Sequence, residues 1–389
     1  MSDNHTEDGI VPNDDSFVFL SSEALAQSCC TMRGGLPNSA AKILREKFGR
    51  VAFLGGSITQ MEGWSNLIEK HLRARFPGAE LDFIKAGVGG TNSTFGAFRF
   101  EADVLPRGAV DLLFLEFAAN DASDYSLANQ RLQAMEGILR QARRTNPAMD
   151  ILGLYVADER KVQTYRERKE PIVITHHEKI FSYYNIPVVN LAIEITRRLD
   201  AGLFTWSEFS KDNCHPLAFG HEQYAGCIRE FLDVAWKDAS TSPQPHPLPE
   251  PFCTDHLEGA RMIGTQTAQG WHLVSDWLAE SVCNYSGPVD VLTATKPGEL
   301  LTVTFEGSTI AMHAIAGPDA GVLGISVDDG PNFERDLFDH YCERFHRPIF
   351  PVLAHGLPIG RHRVTLRVAE LRNALSTGHA ARILQFGVA

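Results

Sequence analysis

Between Val51 and Trp236 the chain alternates two textures, and this alternation limits its fold more than any other feature of the 389 residues. The apolar runs "VAFLG", "ELDFIKAG", "VDLLFLEF", "DILGLYV" and "IPVVNLA" are five to eight residues long, the length of strands. Between them apolar residues recur every three or four positions. Trp64, Leu67, Ile68, Leu72 and Phe76 form one such stripe, and Ala128, Leu132, Met135, Leu139 and Ala142 another. "STFGAFRFEADVL" and "LAFGHEQYAGCIREFLDVAW" also read as helices, and the polar stretch up to Tyr184 as mostly helix. Ser126 is placed to cap the helix after it. "VDLLFLEF" is apolar on both faces, as a central parallel strand requires. The expected fold class is therefore α/β, with a doubly wound, flavodoxin-like parallel sheet of five strands.

After Trp236 the texture changes. "KDASTSPQPHPLPEPF" carries five prolines at every second position from Pro243 to Pro251, which makes it a stiff extended linker. Beyond it the apolar period drops to two. Leu301, Val303 and Phe305 alternate with Thr302, Thr304 and Glu306, and Val364, Leu366 and Val368 with Thr365 and Arg367. "KPGE" and "VDDG" are turn signals. The expected organisation is an N-terminal extension over 1–36, disordered through its first 15 residues, an α/β domain over 37–236, a linker over 237–253 and an all-β sandwich over 254–389.

Composition removes several classes of partner. A formal net charge of −12 without a basic stripe argues against nucleic acid or an anionic membrane. No apolar stretch approaches the ~20 residues needed to span a bilayer. The first residues, "MSDNHTEDGIVPNDD", lack the basic and apolar regions of a signal peptide, which points to a cytoplasmic location. Seven cysteines without C-x-x-C spacing read as free thiols rather than a disulfide or zinc framework.

"VAFLGGSITQ" ends an apolar strand on two glycines and delivers Ser57 at its tip. A serine there suits a helix cap. It also suits a nucleophile, because chemistry in doubly wound sheets gathers at the carboxyl ends of the strands. A serine nucleophile needs a base and a group to orient that base. "KDNCHP" offers both on one loop. Asp212 lies three residues before His215, so its carboxylate can sit under Nδ1 and leave Nε2 to face a serine. Donors for a developing oxyanion are available at two further strand ends, from the backbone of Gly90 in "AGVGGTNS" and the side-chain amide of Asn120 in "FAAND", beside the N–H of Ser57 itself.

Four blocks, GGS, G-x-G-G-T, A-x-N-D and D-x-x-H-P, occur in this order on these strand ends. In this they resemble the SGNH (GDSL-type) hydrolase family over roughly residues 37–236. The resemblance implies Ser57 as nucleophile, Asp212 and His215 as its acid and base, and Ser57, Gly90 and Asn120 as oxyanion donors. It implies no metal and no cofactor. Three positions depart from the family pattern: Gly56 stands where Asp is usual, Lys85 where Asn is frequent and Ala118 where Gly is usual. None removes a proposed catalytic group, although Gly56 bears on how the nucleophile turn is held.

The remaining motifs read as structural. His176 and His177 have no third ligand nearby and read as solvated helix residues. His221 packs on the last helix, Asp121 is structural, and Gly87 and Gly89 form turns. "GVGGTN" is not a dinucleotide fingerprint, and "GGSIT" is not the G-x-S-x-G elbow. Trp206 and Phe209 pack or line a pocket, and Trp271 and Trp277 read as sandwich core, with stacking on sugar rings as the alternative. The implied function is a serine esterase acting on short acyl groups, above all acetyl, with a small molecule or an oligosaccharide as substrate. The "RGGLPN…GRVAFLGGSIT…GW" pattern resembles bacterial carbohydrate O-acetylesterases with an added β-domain. The alternatives are a lipid esterase or thioesterase of the same fold, or a carbohydrate-binding protein without catalysis. The β-domain leaves glycan binding and homo-oligomer contacts both open.

Overall fold

The five apolar runs pair in parallel into one sheet. The computed structural model describes residues 18–21, 28–123, 128–237, 244–279 and 287–389. Ser126 and the start of the chain lie outside these residues. The sheet comprises β1 (Cys30–Thr31), β2 (Phe48–Gly55), β3 (Glu80–Gly87), β4 (Leu112–Glu116), β5 (Asp150–Leu154) and β6 (Val188–Val189), in the order β1-β6-β5-β4-β2-β3. Strands β2 to β6 are parallel. β1, an edge strand of two residues, is antiparallel to β6 and was not expected from its sequence. Every residue of β4 is buried, as its apolar run required.

The helices are α1 (Ser39–Glu46), α2 (Ser57–Gln60), α3 (Trp64–Arg75), α4 (Ser93–Val104), α5 (Asn120–Ser123), α6 (Ala128–Thr145), α7 (Glu159–Arg166), α8 (Ile172–Tyr183), α9 (Leu191–Asp200), α10 (Trp206–Phe209) and α11 (Ala218–Ala235). The chain moves outward from β2 to β3 and then returns past β2 to β4. With right-handed crossovers this reversal puts α3 on one face of the sheet and α4, α6 and α8 on the other. The contacts agree: α4, α6 and α8 pack in succession, whereas α3, α11, α9 and α7 pack together. Under the α3 face, Phe53 and Phe114 stack at 5.1 Å and Trp64 meets Phe53 edge-on at 5.5 Å. No described helix is long and apolar enough to cross a membrane.

Two compact units emerge, one comprising the residues up to Val88 with Asn92–Glu258, the other Gly89–Thr91 with Gly259–Ala389. Residues 244–253, inside the stretch read as a linker, run as a strap along the first unit. Asn38 exchanges hydrogen bonds with the backbone of Gln244, His246 Nε2 lies 2.9 Å from the buried Asp150, and Arg140 and Arg143 donate to the carbonyls of Pro249 and Pro247. The N–H groups of Phe252 and Cys253 end on the buried Glu136. Proline keeps the segment extended, and side chains of the α/β unit satisfy its carbonyls.

The second unit is built from two antiparallel sheets. Its strands are β7 (Arg261–Ile263), β8 (Ala268–Gln269), β9 (His272–Trp277), β10 (Val289–Ala294), β11 (Leu300–Gly307), β12 (Ile310–Ala316), β13 (Val322–Val327), β14 (Phe333–Asp336), β15 (Arg347–Ile349), β16 (Val352–Ala354), β17 (Gly360–Val368) and β18 (Ala381–Val388). One sheet runs β15-β12-β18-β10-β9, with β16 on β12 and β7 on β18, and the other β14-β13-β17-β11-β8. The register pairs Leu301 with Leu366 and Val303 with Val364, so the period-two apolar faces of β11 and β17 meet in the core. Asp328 and Asp329 both adopt positive φ in the "VDDG" turn, the conformation a tight hairpin needs. Trp271 is in this core, but Trp277 is not. It is half-buried, with the Arg382 guanidinium 4.9 Å from its ring.

Candidate active site

Strand register brings distant turns together. Gly55, the last residue of β2, pairs with Gly87 on one side and Glu116 on the other. Ser57 follows Gly55 by two residues and Asn120 follows Glu116 by four, so both leave the carboxyl ends of adjacent strands, roughly 4.8 Å apart. The nucleophile turn is tightly packed: a Cβ on Gly55 would lie 2.4 Å from Thr59 Oγ1, and one on Gly87 would lie 2.4 Å from the backbone nitrogen of Gln60. Gly87 is thus needed for close approach of β3 to α2 rather than for a turn. The Gly55 carbonyl accepts from Val88 N–H at 3.0 Å and from the buried Arg99 at 3.0 Å, which fixes the strand end before the serine.

Ser57 is the first residue of α2. Its Oγ lies 2.9 Å from His215 Nε2, and His215 Nδ1 lies 2.9 Å from Asp212 Oδ2. An ionised carboxylate only accepts, so in the neutral ring the proton sits on Nδ1 and Nε2 is left to accept from the Ser57 hydroxyl. The Asp212 loop is itself braced. Oδ1 accepts the N–H groups of Cys214 at 2.9 Å and His215 at 2.7 Å, the Trp206 indole N–H donates to the Asp212 carbonyl at 2.8 Å, and Ser210 donates to the His215 carbonyl at 2.7 Å. Partial burial alone would raise the Asp212 carboxyl. The hydrogen bonds from His215 N–H, Cys214 N–H and the imidazole outweigh it and hold the carboxyl below its usual range.

Asn120 opens α5. Gly90 lies on the loop after β3. It is exposed, with a φ of 70°, and a Cβ there would meet open space, so backbone conformation is what calls for glycine. Asp121, expected to be structural, is fully buried. It accepts the Ser93 N–H at 2.8 Å and faces His177 Nε2 at 2.8 Å. This corrects the reading of His176 and His177 as solvated, since both are 1% exposed. Helix α8 is covered over a wide arc, and His177 finds its partner inside, on Asp121. His221 is also buried, and its Nδ1 accepts the Trp64 N–H at 3.2 Å. Burial, with a further contribution from His215, pushes it down to about 4, so it is neutral.

Among the described residues, one grouping of candidate metal ligands occurs, Asp212, Cys214 and His215. Its carboxylate and ring nitrogen are engaged with each other, and burial pushes the Cys214 thiol up to about 12. The group is better suited to proton relay than to metal binding. Lys85, one of the departures from the family pattern, is tied to α3 by Glu69 at 2.6 Å and Ser65 at 2.9 Å. Phe209 is buried in the core, and Trp206 holds the Asp212 loop. The sequence raised Trp206 only as a pocket or packing residue. It passed over Glu116, whose one signal was an acid inside an otherwise apolar strand.

A doubly wound sheet with a serine, an imidazole and a carboxylate aligned at its strand ends defines the class, a carboxylic ester hydrolase of α/β fold. Residues 53–223 match the model of the GDSL-like Lipase/Acylhydrolase family. No curated protein matches the chain. Among solved structures, a two-domain esterase active on acetylated mannans is similar, with a TM-score of 0.75 and 22% identity over 92% of this chain and 96% of that one. The same esterase co-crystallised with mannopentaose gives a TM-score of 0.73 and 23% identity over 91% and 95%. At these identities the likeness is one of fold.

Proposed function

We propose that this protein is a serine esterase that removes small acyl groups, acetyl above all, from a carbohydrate. The observation that carries the reading is the unbroken hydrogen-bonded line from Ser57 through His215 to Asp212, 2.9 Å at each step. In this reading His215 Nε2 takes the Ser57 proton as Oγ attacks the ester carbonyl. The oxyanion rests on the N–H groups of Ser57 and Gly90 and on the Asn120 amide. His215 gives its proton to the leaving alcohol, and an acyl-serine remains. Water then attacks, losing a proton to His215, and the carboxylic acid departs as Ser57 recovers its hydrogen. Asp212 holds the ring tautomer and stabilises the imidazolium throughout.

Support for a carbohydrate ester comes from the two-domain fold shared with an esterase active on acetylated mannans. The test is acetate release from a panel of acetylated oligosaccharides, with Ser57→Ala as control, alongside an acyl-chain series of p-nitrophenyl esters. The reading expects acetate release that depends on Ser57 and a rate maximum at the shortest chains. A maximum at C8 or longer would favour a lipid esterase, and failure of an active-serine phosphonate to label Ser57 would favour a binding protein.

A further inference from the structure

We propose that Glu116 is a positioning residue that binds the nucleophile turn and the asparagine turn into one rigid unit. The inference rests on the esterase reading above. Glu116 ends β4 opposite Gly55, and it is 0% exposed in a strand whose other residues are leucine and phenylalanine. An apolar side chain would fill this place more cheaply, because a buried carboxyl must find partners. Glu116 finds them in the two turns. The Ala119 N–H donates to Oε1 at 3.4 Å, immediately before Asn120. On the other side, Thr59 Oγ1 meets Oε2 at 3.2 Å and the Gly56 N–H also donates to the carboxyl, on either side of Ser57.

One side chain therefore reads the position of both turns at once. The nucleophile turn has no side chain of its own at Gly56, so its bracing comes from beneath. Burial pushes the Glu116 acid up, against the pull of its N–H donors and of Lys161. Its two oxygens accept from the Ala119 N–H on one side and from the Thr59 hydroxyl on the other. Misplacing donors by about an ångström can cost on the order of 10²-fold in rate, so a brace at this point acts on kcat.

The test compares Glu116→Gln and Glu116→Met on p-nitrophenyl acetate, with thermal midpoints recorded for both. Gln keeps an acceptor oxygen, and the expectation is a kcat within about fivefold of wild type. Met keeps the bulk without the acceptor, and the expectation is a kcat lower by about 10- to 100-fold with KM changed less than about threefold. A folded Met variant with wild-type kcat overturns the inference. So does a Gln variant as slow as the Met variant, because the acceptor would then not be what matters. Should Glu116→Met fail to fold, Thr59→Val decides: kcat about fivefold lower at unchanged KM supports the brace, and an unchanged kcat overturns it. Ser57→Ala separates the two readings. If it retains activity, the esterase assignment falls. If it is inactive while Glu116→Met is normal, only the brace falls.

Discussion

Ser57 Oγ and His215 Nε2 lie 2.9 Å apart although 158 residues separate them in the chain. The contact is made because β2 delivers the serine at its carboxyl end and the "KDNCHP" loop, closed by the Ser210–Pro216 bridge, presents the imidazole beside it. Ser57→Ala and His215→Ala are each expected to lower kcat by at least about 10⁴-fold, and by a similar amount when combined, because the two act as one unit. Steady-state hydrolysis of p-nitrophenyl acetate by the single and double variants measures this. Additive losses would argue against a shared relay.

Of the three proposed oxyanion donors, Asn120 is the one that a side-chain substitution can remove. Asn120→Ala is expected to lower kcat by about 10²–10³ with KM nearly unchanged, since the bond forms only as charge develops. Equal changes in both parameters would instead assign Asn120 to substrate binding.

Trp206 holds the acid loop through one hydrogen bond, from its indole N–H to the Asp212 carbonyl. Trp206→Phe preserves an aromatic ring tilted against Phe209 and deletes the donor. The expected result is a kcat about fivefold lower, the worth of one net hydrogen bond, with an unaltered melting midpoint. A drop in the midpoint without a change in kcat would make Trp206 a packing residue.

In the β unit, Arg382 grips Asp319 with two bonds of 2.9 and 2.5 Å, and His346 lies 3.6 Å from the same carboxylate. Partial burial would raise this acid, but Arg382 and His346 hold it well below the usual carboxylate range. A depressed folded pKa contributes stability above the unfolded value, and that stability is lost as pH falls toward the folded value. The wild-type melting midpoint should therefore fall as pH drops below about 4. Asp319→Asn should lose about 1–2 kcal/mol at neutral pH, a figure reduced for the partly exposed carboxylate, and should show a weaker acid dependence. Calorimetry of the full chain at pH 7 and pH 3 compares the two. Coincident midpoints at pH 7 would contradict the ion pair's role.

The sequence by itself determined the local events. Apolar runs and helical stripes specified the strands and helices of the α/β unit, because a buried parallel strand must be apolar on both faces and a covering helix on one. The period-two pattern of β11 and β17 specified a half-buried sheet in the same way. Ser57, Gly90 and Asn120 were legible as candidates because each stands just past the end of an apolar strand, and Asp212 and His215 because they share one short loop. Tertiary structure alone decided which of these side chains meet, since no local pattern encodes a contact across 158 residues. It also turned His177 inward to Asp121, laid the proline-rich stretch against the α/β unit as a strap, and gave Glu116 its two turns. Each of these depends on a polar group finding a partner from another part of the chain. Burial makes that pairing obligatory, and only the folded arrangement supplies the partner.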